Sequence, residues 1–273
     1  MATKIFLNGC NGRMGRMFTR VAAEYDDMAI AAGADVAAAG ASPYDAPPAY
    51  PVFICEAGGV GPSSLSAIIP DDIAFDVVVD FSHFSALQSV LDFALKRSVP
   101  ALLCTTGYSA AQSALIDETS ASIPIFQSAN MSIGISLMSE LVRIAASNLS
   151  TGFDIEIVES HHNQKLDAPS GTALTLADAA NEALTDRRKY VYERHSIRAK
   201  RDENEIGIHS IRGGTVVGEH SVIFAGADEV LEIKHSAASR EVFAEGAVRA
   251  IRFITAEGRA PRRYNMRDLF RQN

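Results

Sequence analysis

Three glycines at three-residue spacing, Gly9, Gly12 and Gly15, stand between residues 3–8 (Thr-Lys-Ile-Phe-Leu-Asn), which read as a buried strand, and a stretch of helical periodicity at residues 16–25. A second apolar run, residues 28–33, follows. Strand, glycine turn, helix and strand in that order make the first unit of a doubly wound parallel sheet. Glycine allows a tight turn, close approach of backbone to a pyrophosphate, and close helix–strand packing. The phosphate then meets backbone N–H groups at a helix N-terminus, and Arg13 adds a cation there. An ordinary strand-to-helix turn also uses glycine for steric reasons. The position of this one, at the head of alternating elements, makes a dinucleotide site the stronger reading.

The alternation continues. Residues 76–81 (Asp-Val-Val-Val-Asp-Phe) read as a buried strand, 85–96 as an amphipathic helix, 101–105 as a strand, 110–120 as a helix and 123–127 as a strand. Such a sequence of elements predicts a parallel sheet with both faces covered. Residues 37–70 are rich in Ala, Gly, Ser and Pro and carry little pattern. After residue 130 the pattern changes to a helix at 133–149, an apolar run at 153–158 and a helix at 171–184. Strand-like runs at 207–212, 220–224 and 230–235, joined by glycine-rich turns, predict an antiparallel or mixed sheet. A last helix at 240–257 is expected to return to the first domain. The expected fold is α/β. A Rossmann-type doubly wound domain is read from residues 1–129 and 241–273, and a second, α+β domain with a mixed sheet from 130–240.

Composition narrows the function. With 273 residues, 47% of them hydrophobic and 21% charged, the chain has enough apolar side chains for a core. A formal net charge of −8 disfavours nucleic acid as a partner and offers no polybasic surface to anionic lipid. No apolar run reaches the roughly 18 residues of a membrane span, and no signal-peptide order of basic, apolar and small residues is seen. Cys10, Cys55 and Cys104 are odd in number and widely spaced, which is neither a disulfide framework nor a zinc pattern. A reducing cytoplasm is the simplest location.

The cofactor reading extends beyond the glycines. Gly9, Cys10, Asn11, Gly12, Arg13 and Met14 make up the turn. Asp35 lies 20 residues after Gly15, just past the second strand, where an acidic side chain accepts bonds from the adenosine ribose. A solvated turn residue is the bland alternative. Val36 follows, and it offers no cation to a 2′-phosphate, so NADH is expected to serve at least as well as NADPH. Thr105, Thr106 and Gly107 stand at the end of one buried strand, just after Cys104, and Ser128, Ala129, Asn130 and Met131 follow another. Ends of strands in such sheets line the nicotinamide crevice, although each group taken alone is only a polar loop.

The second domain carries Glu159-Ser160-His161-His162-Asn163-Gln164-Lys165-Leu166-Asp167-Ala168-Pro169-Ser170-Gly171-Thr172-Ala173. Adjacent histidines at a strand-to-loop transition point different ways, so at most one of the two is expected to exchange protons near neutral pH. Lys165 is a proton donor or a fixed charge, and standing alone it would read as a surface lysine. Asp167 is expected to cap the following helix and Pro169 to sit in its first turn. Ser170, Gly171 and Thr172 then offer hydroxyls and backbone N–H groups to a carboxylate.

That run closely resembles the signature of the 4-hydroxy-tetrahydrodipicolinate reductase family, long called dihydrodipicolinate reductase. The likeness covers almost the whole chain. Gly9 to Gly15 with Arg13-Met14 is similar to the family's nucleotide turn, and Thr105-Thr106-Gly107 and Ala129-Asn130 to its two cofactor loops. His209-Ser210-Ile211-Arg212-Gly213-Gly214 through Gly218-Glu219-His220 resembles its substrate-domain strands, and Tyr264-Asn265-Met266-Arg267-Asp268 its ending. The resemblance implies reduction of a cyclic dicarboxylate to tetrahydrodipicolinate with NADH or NADPH, on the diaminopimelate route to lysine, by a homotetramer joined through the mixed-sheet domain. By position it implies His161 as acid/base and Lys165 as proton donor. It implies His162, Gly171 and Thr172, with Ser170 nearby, as substrate contacts. Two departures are Cys104, where the family usually has glycine, and Val36, where a basic residue is frequent. Residues 37–66 match the family poorly. Another two-domain dehydrogenase would share the glycine turn but has no reason to carry the His-His-Lys run. A dinucleotide-sensing regulator would need a DNA-binding element, and no basic helix-turn-helix segment appears.

Overall fold

The computed structural model describes residues 1–36, 48–56, 58, 59, 61–196 and 198–270, so part of the 37–66 segment lies outside the described residues. In chain order the first elements are β1 (Thr3–Asn8), α1 (Arg13–Ala22), β2 (Met28–Asp35), β3 (Val52–Ile54) and the short α2 (Leu65–Ile68). Then come β4 (Val77–Asp80), α3 (Leu87–Arg97), β5 (Ala101–Leu103), α4 (Ala110–Ser120) and β6 (Ile125–Gln127). The middle of the chain forms α5 (Ile133–Asn148), β7 (Asp154–His161), α6 (Gly171–Ala183), β8 (Lys189–Val191), β9 (Glu205–Arg212), β10 (Gly218–Ala225) and β11 (Val230–Ala237). α7 (Glu241–Ile254) and β12 (Arg263–Tyr264) close it. The chain folds into two compact units, Met1–Met131 with Phe243–Asn273, and Ser132–Val242.

The first unit holds a seven-stranded sheet in the order β12-β6-β5-β4-β1-β2-β3, with every neighbouring pair parallel. Ile5, Phe6 and Leu7 of β1 are all fully buried, as a parallel strand covered on both faces requires. On one face Phe6 meets Phe93 of α3 edge-on at 4.8 Å, and Phe75 packs 5.3 Å from Phe93. Truncating Phe93 to alanine would cost about 3–5 kcal/mol. On α7, Phe253 stacks edge-on against Phe126 of β6 and Tyr264 of β12. α1 starts at Arg13, three residues before the position expected from periodicity, because Gly12 is its N-cap and Gly15 already lies inside the helix.

The second unit holds a five-stranded mixed sheet in the order β11-β10-β7-β9-β8. β7 pairs antiparallel with β10 and parallel with β9. The runs 207–212 and 220–224 therefore do not form a hairpin. β7 lies between them, and the connection at residues 213–217 bridges the roughly 10 Å that separates two strands flanking a third. α5 and α6 supply Val142, Ala146, Leu176 and Ala180 to the core beneath Ile155, Ile157, Ile206, Ile208, Val222 and Phe224. Among the described residues no helix is long and apolar enough to cross a membrane.

Candidate active site

Side chains on the inner face of β7 run Ile155, Ile157, Glu159, His161. The face changes from apolar to ionisable without leaving the buried layer: Glu159 is 0% exposed and His161 9%. A carboxylate survives there only when its lone pairs are filled. Arg212 of β9 donates from Nη1 to Oε2 at 2.8 Å and from Nη2 to Oε1 at 2.7 Å. His161 Nδ1 lies 2.6 Å from Oε2, and the Ser170 backbone N–H donates to Oε1 at 3.1 Å. Burial pushes the Glu159 carboxyl up, but hydrogen bonds from Arg212, Ser210, His161 and Ser170 outweigh it and hold it at about 2. Glu159 is thus an ionised acceptor, so His161 presents Nδ1–H to it. That leaves Nε2 as the ring nitrogen outside the Glu159 bond. A Cβ at Gly218 would stand 3.1 Å from this Nε2, so the glycine that opens β10 makes room for the ring.

His220 sits opposite Glu159 in the register of β10 with β7. Its ring is edge-on to His161 at 5.2 Å, and its Nε2 is 3.1 Å from Ser170 Oγ. Burial, and then the proximity of His161, lower its pKa to about 4, so it is neutral at pH 7. Beyond the strand, Lys165 Nζ pairs with Asp167 Oδ1 at 2.8 Å. Arg212 Nη2 donates to the Asp167 carbonyl at 2.7 Å and ties this loop to the same clamp. Arg240 Nη2 lies 3.3 Å from His162 Nε2. Desolvation and the Arg240 charge both lower the His162 pKa.

The α6 N-terminus differs from expectation in three ways. Its cap is Ser170, whose Oγ accepts from Ala173 N at 3.1 Å. Asp167 does not cap, because its carboxylate is drawn to Lys165, and Pro169 precedes the cap rather than occupying the first turn. The Ser170 hydroxyl, expected to meet substrate, is instead 1% exposed and committed to Ala173 and His220. Gly171 is exposed at the first helical position, and a Cβ there would meet no atom within 4 Å. Gly171 and Thr172 thus stand at the positive end of the helix dipole.

In the first unit, Gly9 has φ +77°, and a Cβ on it would lie 2.8 Å from the Phe81 carbonyl group and Ser82 N. A Cβ at Gly15 would lie 2.2 Å from Gly9 O, and one at Gly12 3.3 Å from it. Backbone bonds from Gly9 N and Cys10 N to Ala34 O and from Gly12 N to Gly9 O hold the turn, Arg16 Nε donates to Asn11 O at 2.7 Å, and no side chain caps α1. Exposed Arg13 stands at its first position, with Met14 half-buried behind it. This bare, positive helix end fits an anionic dinucleotide. Asp35 Oδ2 accepts from Asn11 N at 2.8 Å, which fixes the acid beside the turn. Val36 is 58% exposed. Cys10 is buried, burial followed by the Asp35 charge pushes its thiol up to about 12, and its backbone N–H donates to Ala34 O at 3.2 Å. The Cys104 thiol is likewise raised by burial, which disfavours the reactive thiolate. Thr105 is buried, with its hydroxyl on Asp80, while Thr106 is exposed. Ser128 Oγ donates to Asn130 O and accepts from Asn130 N, which holds Ala129 exposed on a small turn. Met131 is 3% exposed, so its side chain belongs to the core.

Glu159, Arg212, His220 and Arg240 join the site without having been expected there from sequence. The two-residue alternation of β7 already puts Glu159 on the His161 face. The other three enter only with strand register or with a contact 78 residues away in sequence, as between Arg240 and His162.

One unit offers backbone N–H groups to a dinucleotide and the other offers proton donors to a small anion, the division of labour of a pyridine-nucleotide-dependent oxidoreductase. Residues 3–131 match the family described as "Dihydrodipicolinate reductase, N-terminus", and residues 134–270 the one described as "Dihydrodipicolinate reductase, C-terminus". The 4-hydroxy-tetrahydrodipicolinate reductase of Clostridium tetani is 46% identical over 266 residues, covering 97% of this chain and 96% of that one. That of Caldanaerobacter subterraneus subsp. tengcongensis is 45% identical over 272 residues, all of both chains. The fold is shared with the dipicolinate-bound dihydrodipicolinate reductase of Paenisporosarcina sp. TG-14, at a TM-score of 0.76 and 23% identity, over 97% of this chain and 98% of that one. The chain belongs to the dihydrodipicolinate reductase family.

Proposed function

We propose that this chain reduces 4-hydroxy-tetrahydrodipicolinate to tetrahydrodipicolinate with NADH or NADPH and one proton, the 4-hydroxyl leaving as water, on the diaminopimelate route to lysine. The observation that carries the reading is one buried carboxylate, Glu159, holding both the His161 imidazole and the first residue of the α6 anion cradle. Residues 1–131 and 243–273 are the cofactor domain and 132–242 the substrate domain. The glycine turn of Gly9, Cys10, Asn11, Gly12, Arg13 and Met14 receives the pyrophosphate, with the backbone N–H groups of Arg13 and Met14 at the start of α1 and the Arg13 side chain as its donors. Asp35 receives the ribose. Cys104, Thr105, Thr106, Ser128, Ala129, Asn130 and Met131 border the nicotinamide, with Thr105 and Met131 contributing backbone only. Bound NADH or NADPH supplies the two-electron reducing equivalent. Because Val36 provides no cation, NADH serves at least as well as NADPH.

The substrate carries two carboxylates, and the cradle answers with two sets of donors. Gly171 and Thr172 offer backbone N–H groups at the dipole's positive end, with the Thr172 hydroxyl beside them, and Arg240 offers a second, cationic patch with His162 next to it. Lys165 delivers a proton to the ring as negative charge develops there, leaving Asp167 to do so. His161, oriented by Glu159 and Arg212, exchanges its proton through Nε2. Ser170 acts as cap and linker. Four copies associate through the sheet face that carries Val158, Ile211 and Ile223, a face which no helix of the described unit covers. The protein works in the cytoplasm.

Dipicolinate, a flat dicarboxylate, tests the site directly. It is expected to raise the melting temperature of the NADH-loaded protein, and Thr172→Val is expected to weaken that effect. A response to NADH alone, with none to dipicolinate, contradicts the substrate assignment.

A further inference from the structure

β1, β4 and β5 are adjacent in the parallel sheet, and their C-terminal ends meet at one side chain that the reaction does not use. Asp80, the last residue of β4, is 0% exposed. Its Oδ1 accepts from Asn8 Nδ2 at 2.8 Å, from Ser82 Oγ at 2.5 Å and from Ser82 N at 3.3 Å. Its Oδ2 accepts from Thr105 Oγ1 at 2.7 Å. Asn8 Nδ2 also reaches Ser82 Oγ at 3.0 Å. Among the described residues no cationic side chain pairs with Asp80. Burial pushes its carboxyl up, against the hydrogen bonds from Ser82, Thr105 and Asn8.

A buried carboxyl held only by neutral donors is a costly way to end a strand. What it gains is connection. Asn8 leads directly into the glycine turn, whose first residue packs against the backbone of Phe81 and Ser82. Thr105 belongs to the loop after β5. Only a carboxylate accepts all four donors at once, since an amide must turn its NH2 toward one of them.

We propose that Asp80 is the positioning residue of the dinucleotide crevice. It sets the spacing between the glycine turn and the Thr105 loop without touching the cofactor. The proposal rests on the reading of this unit as the cofactor domain.

Asp80→Asn keeps the shape and reverses one donor. Titration of NADH fluorescence is expected to give a dissociation constant raised about tenfold, a loss of affinity matched in the KM for NADH. kcat at saturating NADH and the KM for the dicarboxylate should stay within about threefold. The double variant Asn8→Asp with Asp80→Asn returns a carboxylate to the node with its donors rearranged. It should recover NADH affinity to within about threefold of the parent. Ser82→Ala removes one donor and buries no new polar group, and it keeps the test open if Asp80→Asn does not fold. It should weaken NADH by about two- to fivefold. Unchanged NADH affinity in these variants overturns the proposal. So does an equal loss in NADH affinity, kcat and dicarboxylate KM, and so does a double variant no better than the single one. A parent protein that binds NADH but does not turn over would refute the reductase reading while leaving the Asp80 comparison intact.

Discussion

Replacing Arg212 with methionine removes both charged donors to Glu159 and leaves the carboxylate in place at 0% exposure. Two routes give the cost. A carboxyl held at about 2 instead of its ordinary 4.5 represents about 3 kcal/mol of folding free energy at neutral pH for all its donors together less burial, and Arg212 is the largest of those donors. Breaking a buried ion pair from one side costs about 3–5 kcal/mol in general. Because Glu159 has a depressed pKa in the folded protein, its contribution is complete above the unfolded value of 4.5 and is lost as pH falls toward 2. In Arg212→Met the carboxyl moves back up, so the difference from the parent should shrink below about pH 4.5. Urea unfolding followed by circular dichroism, at several pH values from neutral to acid, measures this. Adding Glu159→Gln to Arg212→Met should recover part of the loss, because no buried charge then remains. A loss under about 1 kcal/mol at pH 7, or one that does not change with pH, would refute the clamp.

Two further predictions concern chemistry. Lys165→Ala should lower kcat by about 10²- to 10³-fold, with a stability change under about 1 kcal/mol because its partner Asp167 is largely exposed; near-normal turnover removes it from the mechanism. Thr172→Val should raise the KM for the dicarboxylate by about tenfold and leave the KM for NADH unchanged, both read from initial rates.

Much of this fold was legible because its signals are local. α4 was readable at its start, where Ser109 and Gln112 form a capping box. β1 and β4 were readable as unbroken apolar runs. The two edges of the large sheet were not. β3 has three residues and β12 two, too few for any period to show, and each exists only by pairing with a longer neighbour. α1 was displaced because a glycine spacing does not say where turn ends and helix begins. The α6 cap was misassigned because Asp167 and Ser170 both suit the position. Geometry decides between them: Ser170 Oγ reaches Ala173 N, while Asp167 answers Lys165. His161 and Lys165 were visible as residue types. The group that orients His161 was half visible, in the β7 alternation. Arg212 and His220 reach Glu159 and Ser170 only through strand pairings that no spacing encodes.

The most direct measurement is a coupled assay in which a synthase makes the substrate from pyruvate and aspartate semialdehyde, with NADH and NADPH oxidation followed separately at equal concentrations. The account predicts rapid, substrate-dependent oxidation, with NADH at least as effective as NADPH. No oxidation of either by folded protein would contradict the assigned reaction, and a strong preference for NADPH would contradict the reading of Asp35 and Val36.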